Sequence, residues 1–248
     1  METAFAGISG ALIGSFLNVV VYRLPIGQSL VKPRSHCPSC DTPVAPRDNV
    51  PLLSWLFLKG KCRHCGETIS ARYPAVELLT ALCFVAVVLA RGFHAELIAL
   101  IPFTAALIAI TFIDLEHKIV PNRIVAPAAV YGLVTAAAFR TDMLPELLIA
   151  GAGAFLFFLI AALIHPKGMG MGDVKLAGVM GLYLGRLVIP ALFIAFVVGS
   201  IVGVVLVVRH GARSRKVGVP FAPFMALGGL VAMLAGQQLI DFYLDNLR

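Results

Sequence analysis

Long apolar runs alternate with short polar links along almost the whole chain. The runs are Ala4–Val21, Ala75–Ala90, Leu97–Ile113, Ile124–Phe139, Leu147–Ile164, Leu176–Leu184, Leu187–Val208 and Phe221–Ile240. Most approach the roughly 20 residues that an α-helix needs to cross hydrocarbon. A helix is also the element that satisfies its own backbone polar groups where no water is present. The pattern therefore predicts an all-α, polytopic membrane protein of about eight transmembrane helices. The sixth run is the weakest, because it is short and contains Gly178 and Gly181; it gains length only if the helix starts near Gly172. The first run lacks a basic segment ahead of it, with Glu2 its sole preceding charge, and is interrupted by Gly14, Ser15 and Asn18. It reads as a retained helix rather than a cleaved signal.

One long polar segment breaks the pattern. Residues 23–73 follow the first helix, so the chain divides into a first transmembrane helix (1–22), a loop domain (23–73) and a membrane-embedded remainder (74–248). Composition agrees: the 248 residues are 59% hydrophobic and 13% charged, against about 25% charged in soluble domains. A net charge of +7 would suit nucleic acid, but the placement of the charges points to the lipid bilayer instead. Every lysine and arginine except Arg91, Arg140, Arg186 and Arg248 falls in loops on one side. Basic loops remain cytoplasmic, which places both termini outside. Asp114 and Asp173 then lie at the cytoplasmic face.

The polar segment carries Cys37-Pro-Ser-Cys40 and Cys62-Arg-His-Cys65-Gly66, with 21 residues between the pairs. That spacing is close to a zinc ribbon, in which each C-x-x-C turn offers two thiolates to one tetrahedral ion. A loop of about 50 residues buries little core, and a metal cross-link would help it fold. Two disulfides or four free thiols are the rival readings; a reducing cytoplasm disfavours the disulfides. Four cysteines fill the coordination sphere, so the metal reads as structural rather than catalytic. Cys83 lies within the second apolar run and reads as a small core residue.

Two aspartates carry the candidate chemistry. Asp114 closes an apolar run in Asp114-Leu-Glu-His-Lys-Ile-Val-Pro121-Asn122, and Asp173 follows alternating glycines in Gly168-Met-Gly170-Met-Gly172-Asp173-Val-Lys175. A carboxylate beside hydrocarbon is costly and reads as functional, although a carboxylate merely facing water at a helix end is the plain alternative for Asp114. Glu116 is a second candidate acid in the same motif. Gly170 and Gly172 leave the backbone uncrowded, so an extended substrate strand can approach. A flexible loop is the alternative there, and phosphate binding is weaker still, because no Walker lysine–serine pair is present.

These blocks resemble a known family, the bacterial prepilin peptidases. These are leader peptidase/N-methyltransferases of type IV pilus and type II secretion systems. The resemblance runs from Gly14-Ser-Phe-Leu-Asn18 through both cysteine pairs, Asp48-Asn-Val-Pro-Leu-Leu-Ser-Trp55, Arg72-Tyr-Pro-Ala-Val-Glu77 and both aspartate motifs, to Val219-Pro-Phe-Ala-Pro-Phe-Met-Ala-Leu-Gly228. It implies an aspartic-type endopeptidase of the inner membrane, with Asp114 and Asp173 as the catalytic pair and Cys37, Cys40, Cys62 and Cys65 on zinc. It also implies removal of a basic leader from prepilins and pseudopilins after a glycine. Methylation of the new N-terminal amine from S-adenosylmethionine would follow. Gly60 and Lys61 lie in a matching block and are candidates for methyl transfer on that resemblance alone. Two departures stand out: Met169 and Met171 break the glycine run, and Asn122 stands where relatives often carry an aspartate. Glu77 and Glu116 are candidate acids for recognising the basic leader.

Overall fold

A computed structural model describes residues 1–165, 168–210 and 219–246. The basic residues Lys167, Arg213, Arg215, Lys216 and Arg248, which entered the orientation argument, lie outside the described residues. Among the described residues the regular structure is helical: α1 (Glu2–Arg23), α2 (Leu53–Phe57), α3 (Arg72–Arg91), α4 (Leu97–His117), α5 (Asn122–Phe139), α6 (Leu144–Ile164), α7 (Met171–Leu184), α8 (Val188–His210) and α9 (Ala222–Asn246). There are two isolated β-bridges, both in the cysteine loop, and no strand among these residues. All helices except the five-residue α2 correspond to the eight apolar runs. Among the described residues seven stretches are long and apolar enough to cross a membrane, because α7 and α8 form one apolar run through a 3-10 turn at Gly185–Leu187. The doubtful sixth run starts its helix at Met171, one residue before Gly172.

The chain forms two compact units, Met1–Leu89 and Ala90–Arg248. In the first, α1 lies tightly on α3. A Cβ added to Gly10 would come within 2.7 Å of the Ala81 Cα, and one on Gly14 would come equally close to the Glu77 Cα. Small residues at these points let two backbones meet in a membrane, where packing replaces the hydrophobic drive. Asn18, 3% exposed, donates from Nδ2 to the carbonyls of Gly14 and Tyr73 at 3.3 and 3.0 Å. The polar interruptions of the first run are thus its packing seam.

The second unit is a bundle of α4 to α9. Tyr183 of α7 is its most bulky buried side chain: its ring stacks on Phe103 of α4 with centroids 4.1 Å apart, and its hydroxyl donates to the Ala128 carbonyl of α5 at 2.7 Å. One side chain therefore pins three helices. α6 meets α7 across Gly151 and Gly181. Ile149, Leu156, Phe157, Ile160 and Leu163 of α6 stay exposed while Leu147 and Phe158 are fully buried. That is the inverted surface expected where lipid is the solvent. α7 has 14 residues and rises only about 21 Å, short of the roughly 30 Å of hydrocarbon.

Candidate active site

Within the first unit, the two cysteine pairs are built as near copies. The Cys37 N–H donates to the Thr42 carbonyl at 3.0 Å and the Asp41 N–H to the Cys37 carbonyl at 2.8 Å. In the second pair, the Cys62 N–H donates to the Glu67 carbonyl at 2.8 Å and the Gly66 N–H to the Cys62 carbonyl at 3.0 Å. The residue after each pair takes a left-handed backbone, Asp41 at φ 56° and Gly66 at φ 73°; glycine and aspartate tolerate this conformation better than most residues. These turns aim four sulfurs at one point, all within 4.8 Å of one another. The Cys37 and Cys65 sulfurs are 3.7 Å apart. A tetrahedron with metal–sulfur bonds of about 2.3 Å needs sulfurs about 3.8 Å apart, so the donor set fits a tetrahedral ion.

Neighbouring contacts brace this loop. Arg63, between Cys62 and Cys65, clamps Asp48 with two hydrogen bonds, the one from Nε being 2.8 Å. That guanidinium holds the Asp48 carboxyl below the usual carboxylate range. Gly60, at φ 67°, has no room for a side chain, because a Cβ would lie 2.9 Å from the Trp55 ring. Its N–H donates to the Trp55 carbonyl and its carbonyl accepts from Ile69. Lys61 beside it is exposed. Glu77, 8% exposed, accepts the Leu52 N–H at 2.7 Å and so holds the start of α2. Its carboxylate braces the loop, a role its sequence context did not reveal. Glu116 is exposed, with an oxygen 4.0 Å from the His117 ring.

The acids lie in the second unit. Asp114 occupies the last turn of α4 and is 5% exposed. Its Oδ2 accepts the backbone N–H of Ala222 at 3.1 Å. Ala222 is the first residue of α9, so Asp114 satisfies one of the free N–H groups with which every helix begins. The segment Pro220-Phe-Ala-Pro223 is thereby part of the site. Its prolines signalled a helix start in the sequence, but nothing there linked that start to Asp114.

Asp173 sits in the first turn of α7, after the extended residue Gly170. Its N–H donates to the Gly170 carbonyl at 3.1 Å, and its Oδ2 occupies the space beside Gly170, 3.6 Å from where a Cβ would be. Gly172 presses against Val120 so closely that a Cβ would come within 2.7 Å of the Val120 Cβ. One turn on, Lys175 donates to Asn122 Oδ1 at 3.0 Å. These two ties fasten the start of α7 to the link between α4 and α5. They bring the two aspartate motifs together. No basic side chain pairs with either acid among the described residues.

Residues 8–91 match the bacterial peptidase A24 N-terminal domain, and residues 101–206 match the type IV leader peptidase family. Similar proteins include a prepilin leader peptidase/N-methyltransferase of Aeromonas hydrophila, 35% identical over 95% of this chain and 91% of that protein. One from Bacillus subtilis is 36% identical over 96% of each. One from Pseudomonas aeruginosa is 34% identical over 95% and 91%. No solved structure matches the chain. Two family matches in sequence order, with relatives more than a third identical along nearly its full length, show that the chain belongs to the type IV leader peptidase family.

Proposed function

We propose that this protein cleaves the basic leader from type IV prepilins and type II secretion pseudopilins, using Asp114 and Asp173 as a catalytic pair at the cytoplasmic face of the inner membrane. The observation that carries this reading is the meeting of the two acid motifs of α4 and α7, tied by Gly172 against Val120 and Lys175 on Asn122, with neither acid paired to a cation among the described residues. Two close carboxyls do not both ionise cheaply, and a shared proton gives the pair one base and one acid. The ionised member takes a proton from water, which attacks the scissile carbonyl. The protonated member polarises that carbonyl and then passes its proton to the departing amine. The Ala222 N–H fixes the Asp114 carboxylate in place.

Substrate access follows from the same geometry. A helical peptide bond is shielded by its own hydrogen bonds, so the cut requires an extended stretch. Gly170, where an added Cβ would meet nothing nearer than Asp173 Oδ2 at 3.6 Å, leaves the approach to Asp173 uncrowded, whereas Gly172, expected to do the same, is packed against Val120; a glycine before the scissile bond suits such a stretch. The charge bias of the loops supports reading this end as cytoplasmic, where the leader of a prepilin would lie.

Zinc is proposed as the ion held by Cys37, Cys40, Cys62 and Cys65, and residues 23–73 as a module folded around it. When bound, it would cross-link the two turns without taking part in hydrolysis. Methyl transfer from S-adenosylmethionine is proposed from the names of the relatives. Gly60 and Lys61 are proposed for the methyl-transfer site; both backbone groups of Gly60 are hydrogen-bonded within the loop, and Lys61 is exposed.

Purified protein in uncharged detergent, incubated with a prepilin, tests the reading by mass spectrometry. A product cut after the leader glycine supports it, and an intact substrate under conditions where a relative cleaves it contradicts it. A mass increase of one methyl group, dependent on S-adenosylmethionine, tests the second activity. Metal analysis returning one zinc per chain, lost in Cys37→Ser, tests the third.

A further inference from the structure

The opposite end of the second unit holds a different cluster of charge. The last residue of α3, the start of α4, the α5–α6 and α7–α8 connections and the middle of α9 surround a cavity of about 240 Å³. Arg91, Arg140 and Arg186 line it together with Glu96, Glu146 and Gln237. Three of the few basic residues outside the cytoplasmic loops thus converge on one space.

The polar contacts leave this space electropositive. Arg91 donates from Nε to the Met233 carbonyl at 2.8 Å. Arg140 donates from Nη1 to the Tyr183 carbonyl at 2.8 Å, and its Nη2 lies 3.5 Å from Glu96 Oε1. Glu146 Oε1 accepts the backbone N–H of Arg186 at 2.8 Å instead of pairing with a guanidinium. Arg186 Nη2 donates to Gln237 Oε1 at 2.9 Å, and Gln237 donates to Asp241 at 2.8 Å. Glu96 is therefore the one carboxylate in ion-pair contact with a guanidinium of the cavity among the described residues. The Arg140 side chain is 7% exposed, yet its Nε has no acceptor among the described residues. A buried donor left without a partner is costly, and leucine walls at 100, 184 and 187 strengthen the field of the uncompensated charge.

We propose that this cavity binds a phosphate-type oxyanion, presented either by a phospholipid headgroup or as free phosphate. Arginine forks match the oxygens of such a group and can engage two at once. The space is below the roughly 300 Å³ at which small-molecule pockets begin, so it suits a phosphate rather than a nucleoside. The cavity lies where α4, α6 and α8 begin, at the border of their apolar stretches, the level at which the hydrocarbon core gives way to lipid headgroups. The inference is independent of the cleavage reaction.

The test is native mass spectrometry of the full chain in uncharged detergent. The probes are phosphatidylglycerol, diacylglycerol as a lipid without phosphate, and inorganic phosphate. Phosphatidylglycerol is expected to remain bound, with affinity falling roughly tenfold in Arg186→Gln and again in Arg91→Gln, while diacylglycerol dissociates. Arg186 is exposed, so its variant keeps the fold, which an unchanged melting temperature without lipid would verify. Arginine-dependent binding of inorganic phosphate alone assigns the site to a free anion and still supports the proposal. Equal retention of diacylglycerol, unchanged binding in both variants, or no binding of either phosphate probe would overturn it.

Discussion

The two ends of the α4–α9 bundle treat charge in opposite ways. At one end, the two acid motifs are brought together and Lys175 is engaged by Asn122, with no basic side chain paired to either carboxylate among the described residues. At the other, three arginines are held by two backbone carbonyls, the Gln237 amide and Glu96, with most of their guanidinium N–H groups left over. The helices and their packing are common to both ends. On this account the proposed reactive end is set apart by carboxyls with no cation paired to them among the described residues, and the proposed binding end by guanidinium N–H groups that outnumber their acceptors. Acids without a cation keep a proton to exchange, whereas arginines never lose theirs and can only hold something.

The strongest way to break this contrast is to remove the acids. Asp114→Asn and Asp173→Asn should each lower prepilin cleavage by at least about a hundredfold, in a mass-spectrometric assay with metal content unchanged. Asparagine can still accept the Ala222 N–H, so the start of α9 should persist and melting should move little. Loss of fold in Asp114→Asn would instead mark it as a capping residue alone. Next in size is the seam that joins the acid motifs. Gly172→Val would drive its side chain into Val120, costing about 1–3 kcal/mol and misplacing Asp173. Reduced kcat together with a lowered melting temperature is expected.

The arginine end should behave otherwise. Arg186→Gln should leave cleavage within roughly twofold of the native rate, because surface substitutions away from a site cost little. A large loss of activity would mean that the ends are coupled and the contrast is false. The smallest effect belongs to the cysteine loop. Arg63 holds the Asp48 carboxyl below its usual range, so this clamp is whole above the ordinary carboxylate value of about 4. It weakens as pH falls through the lowered folded value. Amide exchange at residues 46–49 should show wild type more protected than Asp48→Asn at pH 7. That margin should hold down to about pH 4 and then shrink.

Much of this was legible in the sequence because lipid imposes simple rules. Each membrane-length helix was announced by an apolar run, and even the short α7 was correctly tied to a start near Gly172. The cysteine cluster was legible because C-x-x-C turns fix two sulfurs locally and leave one long-range closure to satisfy. The partners of the acids were not legible. Ala222 meets Asp114 through a backbone N–H, which any residue but proline offers. Val120 meets Gly172 by shape alone. Glu77 looked like an acid awaiting a basic leader and is instead spent on the Leu52 N–H. Arg91, Arg140 and Arg186 stood out as exceptions to the charge bias, but only folding shows that they converge.

The central claim is that Asp114 and Asp173 act as one catalytic unit. Cleavage rates of one prepilin by Asp114→Asn, Asp173→Asn and the double variant, measured beside wild type, test it most directly. Groups that work together are non-additive, so the double variant should be no slower than the slower single variant. Losses that multiply, or full activity in either single variant, would contradict the pairing.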